Sequence, residues 1–189
     1  YASQAVLSLV DVMITAETLG RIMPRCPDKI TFANALSSAM LIADTNTVTR
    51  AAAFLSQVAH ESGELRWLEE IDDGHRYEGR KDLGNIEPGD GPKFKGHGAF
   101  QVTGRYNHLL CGEALGLDLI NNPRLLCEPV NACNSAAWYW NLHEINKLAD
   151  KPDFPGVTRK INGALLGYSH RITYYACALE ILGSTALIA

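Results

Sequence analysis

The apolar positions of the chain mostly recur at helical spacing. Two stretches between residues 31 and 59 carry apolar residues three and four positions apart, and each predicts a helix with one buried face. The first stretch contains Phe32, Ala35, Leu36, Ala39, Met40 and Ala43, and the second contains Ala51, Phe54, Leu55, Val58 and Ala59.

The C-terminal half continues this pattern. Pro129 suits the first turn of a helix, and the apolar stretch that follows it predicts a long helix. A last helix is predicted to end at Gly183, and its apolar face is formed by Ile172, Tyr175, Ala176, Leu179 and Leu182. The pattern indicates a mainly α-helical protein with one domain over residues 1–189.

The first 14 residues, YASQAVLSLVDVMI, are fairly apolar but contain Asp11. We interpret them as an N-terminal extension that forms an amphipathic helix. A remnant of an anchor or signal segment is the alternative.

Two segments interrupt the helical pattern. Residues Asp72 to Lys93 contain five glycines and two prolines and almost no large aliphatic residues, which predicts a long loop. Loops of this length in compact domains are often functional. Further on, AFQVT at residues 99–103 alternates between apolar and polar residues, which predicts a short strand with Gln101 and Thr103 on its polar face.

Composition narrows the class of protein. The chain has 189 residues, a net charge of −4 and 47% hydrophobic residues, which is typical of a globular domain and argues against a dedicated nucleic-acid binder.

No run of 18 apolar residues occurs, so no membrane-spanning helix is predicted. The six histidines form no HxxxH or HExxH pattern and the five cysteines form no CxxC pair, so neither a metal site nor a cofactor is expected. Buried thiols are the expectation for the cysteines, and a Cys127–Cys133 disulfide is the alternative.

Two carboxylates carry the candidate chemistry. Glu61 borders the apolar face of the second helix, and Gly63 is placed to end that helix. The end of a helix and partial burial both disfavour a negative charge, as a general acid requires. Glu70 follows nine residues later (70 − 61), and Glu69 and Glu78 are alternatives for this second carboxylate. Most glycoside hydrolases cleave the glycosidic bond with two carboxylates that have different environments.

The motifs AAFLSQVAHESG and KGHGAFQVTGRYNH together resemble glycoside hydrolase family 19, the chitinase-type and lysozyme-like enzymes. The resemblance extends over residues 31–175 and includes AAWYW and INGALLGYSHR. It implies that Glu61 is the general acid, that Glu70 activates water and that Thr103 helps to hold that water. The residues that it implies for binding sugar or ordering the carboxylates are Gln101, Tyr106, Asn107, Asn162 and Arg171. His97 and Ala99 depart from the family pattern, which usually has Arg and then Pro or Leu there.

The resemblance also implies a lysozyme-like fold with a short β element and two lobes around a cleft. The short chain and the close spacing of the two carboxylates resemble phage endolysins of the family. The expected activity is therefore inverting hydrolysis of the β-1,4 glycan of peptidoglycan by a monomer without a cofactor, made in the infected cytoplasm and acting on the cell wall. A chitinase, an inactive glycan-binding module and a lytic transglycosylase are the alternatives. The bond cut, muramidase or glucosaminidase type, stays open.

Overall fold

The computed structural model describes residues 13–151 and 153–186. Residues 1–12 lie outside this range, so the predicted N-terminal helix lies almost wholly outside the described residues. The α-helices are α1 (Ala16–Ile22), α2 (Lys29–Ile42), α3 (Val48–Glu61), α4 (Asp90–Lys93), α5 (Arg105–Leu115), α6 (Pro129–Leu142), α7 (Asn146–Ala149), α8 (Phe154–Asn162) and α9 (Tyr168–Ala186). Short 3₁₀ helices occupy His75–Tyr77, Lys81–Leu83 and Pro123–Cys127.

Side-chain caps fix where α2 and α3 begin. The Asp28 carboxylate accepts the backbone N–H of Thr31, and the Thr47 hydroxyl accepts that of Arg50. Such caps satisfy amides that have no partner within the helix. The helices that were predicted from the apolar spacing are confirmed, and α6 begins at Pro129 as expected.

The main core lies between α2, α3, α6 and α9, where α3 packs on α9 and α2 packs on α6. Phe54 and Trp140 meet edge to face at its centre, with ring centroids 5.3 Å apart. A smaller core contains Val102, Cys111, Leu119 and Leu126. The larger and the smaller core correspond to the two lobes that the family resemblance implies.

The prediction for α9 is partly wrong. The helix continues through Gly183 to Ala186. Its buried face contains Arg171, Tyr174, Ala178 and Leu182, whereas Ile172 is exposed. The predicted apolar face is therefore shifted by one residue. The buried face begins at Arg171, a charged residue that an apolar pattern does not include.

The prediction of a long loop at Asp72–Lys93 is also incomplete, since the segment contains two 3₁₀ helices and α4. Glu78 and Asp90 organise it. The Glu78 carboxylate accepts the amides of Gly89 and Gly91, both at 2.7 Å, and buried Asp90 pairs with Arg105 at 2.5 Å. The short helices were not predicted because the contacts of these two carboxylates, rather than a periodic apolar face, hold the segment together.

All five cysteines fall within the described residues, and all are free thiols. The alternative of a Cys127–Cys133 disulfide is therefore wrong for this structure. Cys26, Cys111 and Cys133 are buried, and burial raises the pKa of Cys111 to about 12. Within the described residues, no helix is long and apolar enough to cross a membrane.

Candidate active site

Glu61 is the last residue of α3, with Ser62 as its C-cap and Gly63 in the left-handed region at φ 56°. The helix ends where the sequence predicted. Residues 51–59 of α3 are all buried, so this helix fixes Glu61 against the main core. Its side chain is 20% exposed.

A buried arginine contacts Glu61. Arg171 Nη2 lies 2.5 Å from Glu61 Oε1, and Arg171 is only 1% exposed. The contact is an ion pair without an aligned hydrogen bond, because Oε1 has no hydrogen-bond partner among the described residues. A positive charge thus stands directly beside the carboxylate that the family resemblance assigns as the general acid.

Gln57 and the backbone hold Arg171 in place. Arg171 Nη1 donates to Gln57 Oε1 at 2.5 Å, and its Nε donates to the carbonyl of Leu166 at 3.0 Å. Gln57 Nε2 in turn donates to the hydroxyl of buried Thr158 at 3.2 Å. This chain joins α3, α8 and α9 behind Glu61, so the position of Glu61 depends on three helices.

His60 precedes Glu61 in the last turn of α3. Its Nδ1 lies 2.9 Å from Nδ1 of His170, and the two rings meet edge to face. Burial and, to a smaller extent, the positive charge of Arg171 together lower the pKa of His60 to about 4. His60 is therefore neutral at physiological pH.

The chain between the two carboxylates forms a left-handed turn. Gly63, Glu64 and Leu65 have φ values of 56°, 66° and 65°. Glu64 is 2% exposed, and its carboxylate accepts the backbone N–H of Arg25 at 2.5 Å and the Tyr174 hydroxyl at 2.6 Å. This turn directs the chain from the end of α3 towards Glu70.

Glu70 has a different environment from Glu61. Its Oε1 accepts hydrogen bonds from Arg76 and from the Tyr77 hydroxyl, the latter at 2.9 Å. Its Oε2 accepts the backbone N–H of Gly96 at 2.9 Å. Three donors on one carboxylate fix its orientation.

The alternatives for the second carboxylate have other partners. Glu78 accepts two backbone amides within its own loop, as described above. Glu69 forms ion pairs with Lys95 and Arg124, both at 3.2 Å. Glu70 therefore stays the prediction for the second carboxylate.

The prediction of a strand over residues 99–103 is wrong. His97 and Val102 exchange backbone hydrogen bonds of 3.1 and 2.8 Å, and residues 98–101 between them form a tight turn. Gln101 has a φ of 52°, which no strand residue adopts. Gly98 has a φ of 84°, and a Cβ there would lie 2.5 Å from Ser135 Oγ. The β element reduces to the isolated bridges Glu69–His97 and His97–Val102 within the described residues.

The turn orders Gln101 and Thr103 through the backbone. Gln101 Nε2 donates to the carbonyl of Gly98 at 3.0 Å. The Thr103 hydroxyl donates to the carbonyl of Gln101 at 2.9 Å, which leaves its lone pairs available to a water. Asn107 Nδ2 donates to the carbonyl of Thr103 at 2.7 Å and so fixes this segment to α5.

The remaining predicted residues are dispersed. Tyr106 on α5 is 55% exposed, and Asn162 ends α8 with a buried Oδ1 that has no hydrogen-bond partner among the described residues. Neither contacts Glu61 or Glu70 through a hydrogen bond that the structure records. Their predicted role in binding sugar stays a prediction.

Sequence reasoning missed Gln57, Glu64, Arg76 and Tyr77, which hold the two carboxylates or the turn between them. Gln57 and Glu64 lie on or beside a helix whose pattern looked apolar. Arg76 and Tyr77 were part of a segment read as loop. A polar residue inside an apolar stripe, as at Gln57, was the one available signal.

The comparisons with known proteins agree with this architecture. The family model described as "Chitinase class I", glycoside hydrolase family 19, matches residues 28–157. The chain belongs to glycoside hydrolase family 19. An endochitinase of Arabidopsis thaliana is 34% identical over 141 residues, which are 71% of this chain and 48% of that protein. The chain spans about half or less of the length of the plant chitinases it matches.

A bacterial relative matches along nearly its whole length. A family 19 domain-containing protein of Haemophilus influenzae is 27% identical over 196 residues, which are 87% of this chain and 94% of that protein. Among solved structures, chitinase C of Streptomyces griseus superimposes with a TM-score of 0.75 at 26% identity, over 91% of this chain and 93% of that one. The family 19 fold that was predicted from the motifs is confirmed.

Proposed function

We propose that this family 19 chain hydrolyses β-1,4 linkages of N-acetylated amino-sugar glycans with inversion of the anomeric carbon. The observation that carries the proposal is the difference between its two carboxylates. Glu61 is fixed on the apolar helix α3 with one oxygen out of contact with water, whereas Glu70 accepts three hydrogen bonds. Carboxylates in unlike environments divide the roles of acid and base.

In this mechanism Glu61 donates a proton to the leaving glycosidic oxygen. Glu70 stays ionised and removes a proton from a water that attacks the anomeric carbon from the opposite face. The Thr103 hydroxyl is proposed to hold that water jointly with Glu70. Arg171 positions Glu61, and it re-pairs with the carboxylate once the proton has left.

For the substrate we propose the glycan strands of peptidoglycan, with the chain acting as an endolysin on the cell wall of an infected bacterium. The bacterial relative of nearly equal length shows that family 19 proteins of this size occur in bacteria. Peptidoglycan is anionic, and His75, Lys81 and Lys93 are exposed and form no ion pair among the described residues. Arg76, Arg80 and Lys95 lie in or next to the same segment, but each pairs with an acidic side chain and so adds less positive charge to it.

Chitin is the second candidate substrate. The names of the plant and Streptomyces relatives, endochitinase and chitinase C, favour it directly. The two glycans share the β-1,4 linkage and differ in the lactyl ether and peptide on alternate sugars of peptidoglycan. The same catalytic groups serve either substrate, so a measurement has to distinguish them.

The catalytic proposal is tested with Glu61→Gln, which keeps the shape of the side chain and removes the proton donor. General acid–base catalysis contributes typically about 10²–10⁴-fold, so turnover should fall by at least about 10²-fold with an unchanged melting temperature. Glu113→Gln on the exposed face of α5 is the matched control and should retain wild-type turnover. A Glu61→Gln variant that retained more than about a tenth of wild-type activity would contradict the assignment.

The substrate is tested by mass spectrometry of products from purified peptidoglycan and from chitin oligomers over a salt series. We expect peptidoglycan to be preferred at low salt, and the preference to shrink as exposed charges are screened within about 10 Å at 0.1 M. Rapid cleavage of chitin with negligible turnover of peptidoglycan would establish the chitinase alternative. An anhydro product would indicate a transglycosylase. The anomer that forms first, before the sugar equilibrates in water, shows whether the configuration at the anomeric carbon is inverted.

A further inference from the structure

Three metal-ligating side chains from distant segments meet beside the segment that carries Glu70. They are Glu69, His97 and Cys127, and one ligand atom from each lies within 4.8 Å of the other two. Glu69 and His97 are partners in an isolated β-bridge, and Cys127 ends the 3₁₀ helix Pro123–Cys127. The bridge and the helix hold the three Cα positions in place.

Hydrogen bonds fix which nitrogen of His97 can bind a metal. His97 is 1% exposed, and its Nδ1 lies 3.1 Å from Nε2 of His108. Nδ1 of His108 lies 2.9 Å from the carbonyl oxygen of Gly104. A carbonyl only accepts, so His108 Nδ1 carries a proton and its Nε2 accepts the Nδ1 proton of His97. Nε2 of His97 then presents a lone pair.

This arrangement is the one that metal-binding histidines use. The nitrogen that does not bind the metal donates to a fixed acceptor, which sets the tautomer and the ring orientation.

Cys127 and the adjacent cavity complete the site. The half-buried Cys127 thiol donates weakly to the carbonyl of Leu68 at 3.4 Å. Glu69 and His97 line a cavity of about 500 Å³ that also borders Arg124. An ion can reach Glu69 and His97 through this cavity, and a water in it can occupy a further coordination position.

We propose that Glu69, His97 and Cys127 form a zinc site whose fourth ligand is water from this cavity. A thiolate, an imidazole and a carboxylate are the three ligand types that zinc accepts in tetrahedral sites. Zinc forms bonds to Sγ, Nε2 and one carboxylate oxygen, while the S–H bond of Cys127 breaks and its proton passes to solvent.

The geometry requires only a small adjustment. Ligand atoms in a tetrahedral zinc site stand about 3.5 Å apart, given Zn–S and Zn–N bonds of about 2.3 and 2.0 Å. The separations here are at most 4.8 Å, so side-chain rotations of Glu69 and Cys127 can close them around the fixed His97. Lys95 pairs with one oxygen of Glu69 and Arg124 with the other, so zinc has to displace one of these two ion pairs to bind the carboxylate.

A bound ion would tie together the segments that position Glu70. Glu70 N–H donates to the carbonyl of Gly96, and Gly98 N–H donates to that of Leu68, both at 2.8 Å. Glu69 follows Leu68 and precedes Glu70, and His97 follows Gly96 and precedes Gly98, so the two hydrogen bonds flank these two ligands. The sequence predicted no metal because the ligands are 28 (97 − 69) and 30 (127 − 97) residues apart and match no short motif.

The test is zinc titration of the whole reduced chain by calorimetry, with cobalt as a spectroscopic probe. We expect one zinc per chain and a thiolate-to-cobalt charge-transfer band. Cys127→Ser should lose the band and bind zinc at least about tenfold more weakly, and His108→Gln should weaken binding by about 10–100-fold. Cys177→Ser is the matched control, because that half-buried thiol also faces a carbonyl, of Arg21 at 3.8 Å.

Zinc should also raise the melting temperature of the wild type and of Cys177→Ser more than that of Cys127→Ser, since tighter binding to the folded state stabilises it more. Positions 69 and 127 are partly exposed, so Glu69→Gln is the second variant if Cys127→Ser does not fold. Absence of one-to-one binding by the wild type, or equal zinc affinity in the Cys127 and Cys177 variants, would overturn the proposal.

Discussion

Replacing Arg171 by Met tests whether the position of Glu61 depends on the buried guanidinium. Met removes the charge and all three donors while it keeps most of the length of the side chain. In the wild type those donors contact Glu61 Oε1, Gln57 Oε1 and the carbonyl of Leu166. The substitution therefore leaves a partly buried carboxylate and two acceptors without their partner.

The magnitude follows from burial. Arg171 is 1% exposed and Glu61 is 20% exposed, so the pair belongs with buried rather than surface ion pairs. Removing one partner of a buried pair costs about 3–5 kcal/mol, and each unsatisfied buried acceptor about 1–3 kcal/mol. Because Glu61 keeps some contact with water, we expect the free energy of unfolding to fall by about 3–4 kcal/mol.

The assay is urea unfolding at low temperature, with Arg159→Met as the control. Arg159 is exposed on α8, so its substitution should change the free energy of unfolding by no more than about 0.5 kcal/mol. The double variant with Glu61→Gln should show a coupling of about 0.5–3 kcal/mol with Arg171→Met. A loss below about 1 kcal/mol for Arg171→Met, or strict additivity in the double variant, would refute the reasoning.

Two further predictions concern Thr103 and His60. If the Thr103 hydroxyl holds the attacking water, Thr103→Ser should keep near wild-type turnover and Thr103→Val should lose about 1–3 kcal/mol of transition-state stabilisation, measured as kcat/KM; equal damage from both would assign the residue to packing. The pKa of His60 is about 4 in the folded state and about 6.5 in the unfolded chain, so folding loses stability as pH falls from about 6.5 to 4. Since His60 is partly exposed, His60→Gln should remove about 1–2 kcal/mol of this pH dependence in urea unfolding at pH 7 and pH 4, and an unchanged slope would contradict the shift.

The sequence was a good guide where apolar burial decides the structure. α2 and α3 bury the side chains that their spacing predicted. A helix that packs against a core needs one apolar face, and apolar residues three and four positions apart identify that face in the sequence. The end of α3 at Glu61 was predictable for a related reason, since Gly63 adopts a positive φ at little cost.

Prediction failed where polar groups decide the structure. The alternation in AFQVT suits a strand, yet Gly98 and Gln101 adopt left-handed conformations and close a turn. Arg171, which the family resemblance implied for binding sugar or ordering the carboxylates, is buried, and Glu61 and Gln57 satisfy its guanidinium. Long-range partners of this kind leave no local periodicity, so only the folded chain reveals them.

The link between the two carboxylates shows how such partners shape the site. Glu64 and Leu65 lie in the left-handed region, which costs roughly 1–2 kcal/mol for each residue that has a Cβ. Burial of Leu65, at 1% exposure, offsets about 1.5–3 kcal/mol, and Arg25 and Tyr174 satisfy the Glu64 carboxylate. A helix that continued past Glu61 would instead carry residues 62–70 along the axis of α3. The strained turn is therefore what brings the chain back towards Gly96, where the backbone amide fixes Glu70. The proposed pairing of Glu61 with Glu70 across nine residues thus depends on the distant residues Arg25 and Tyr174, which stabilise that turn.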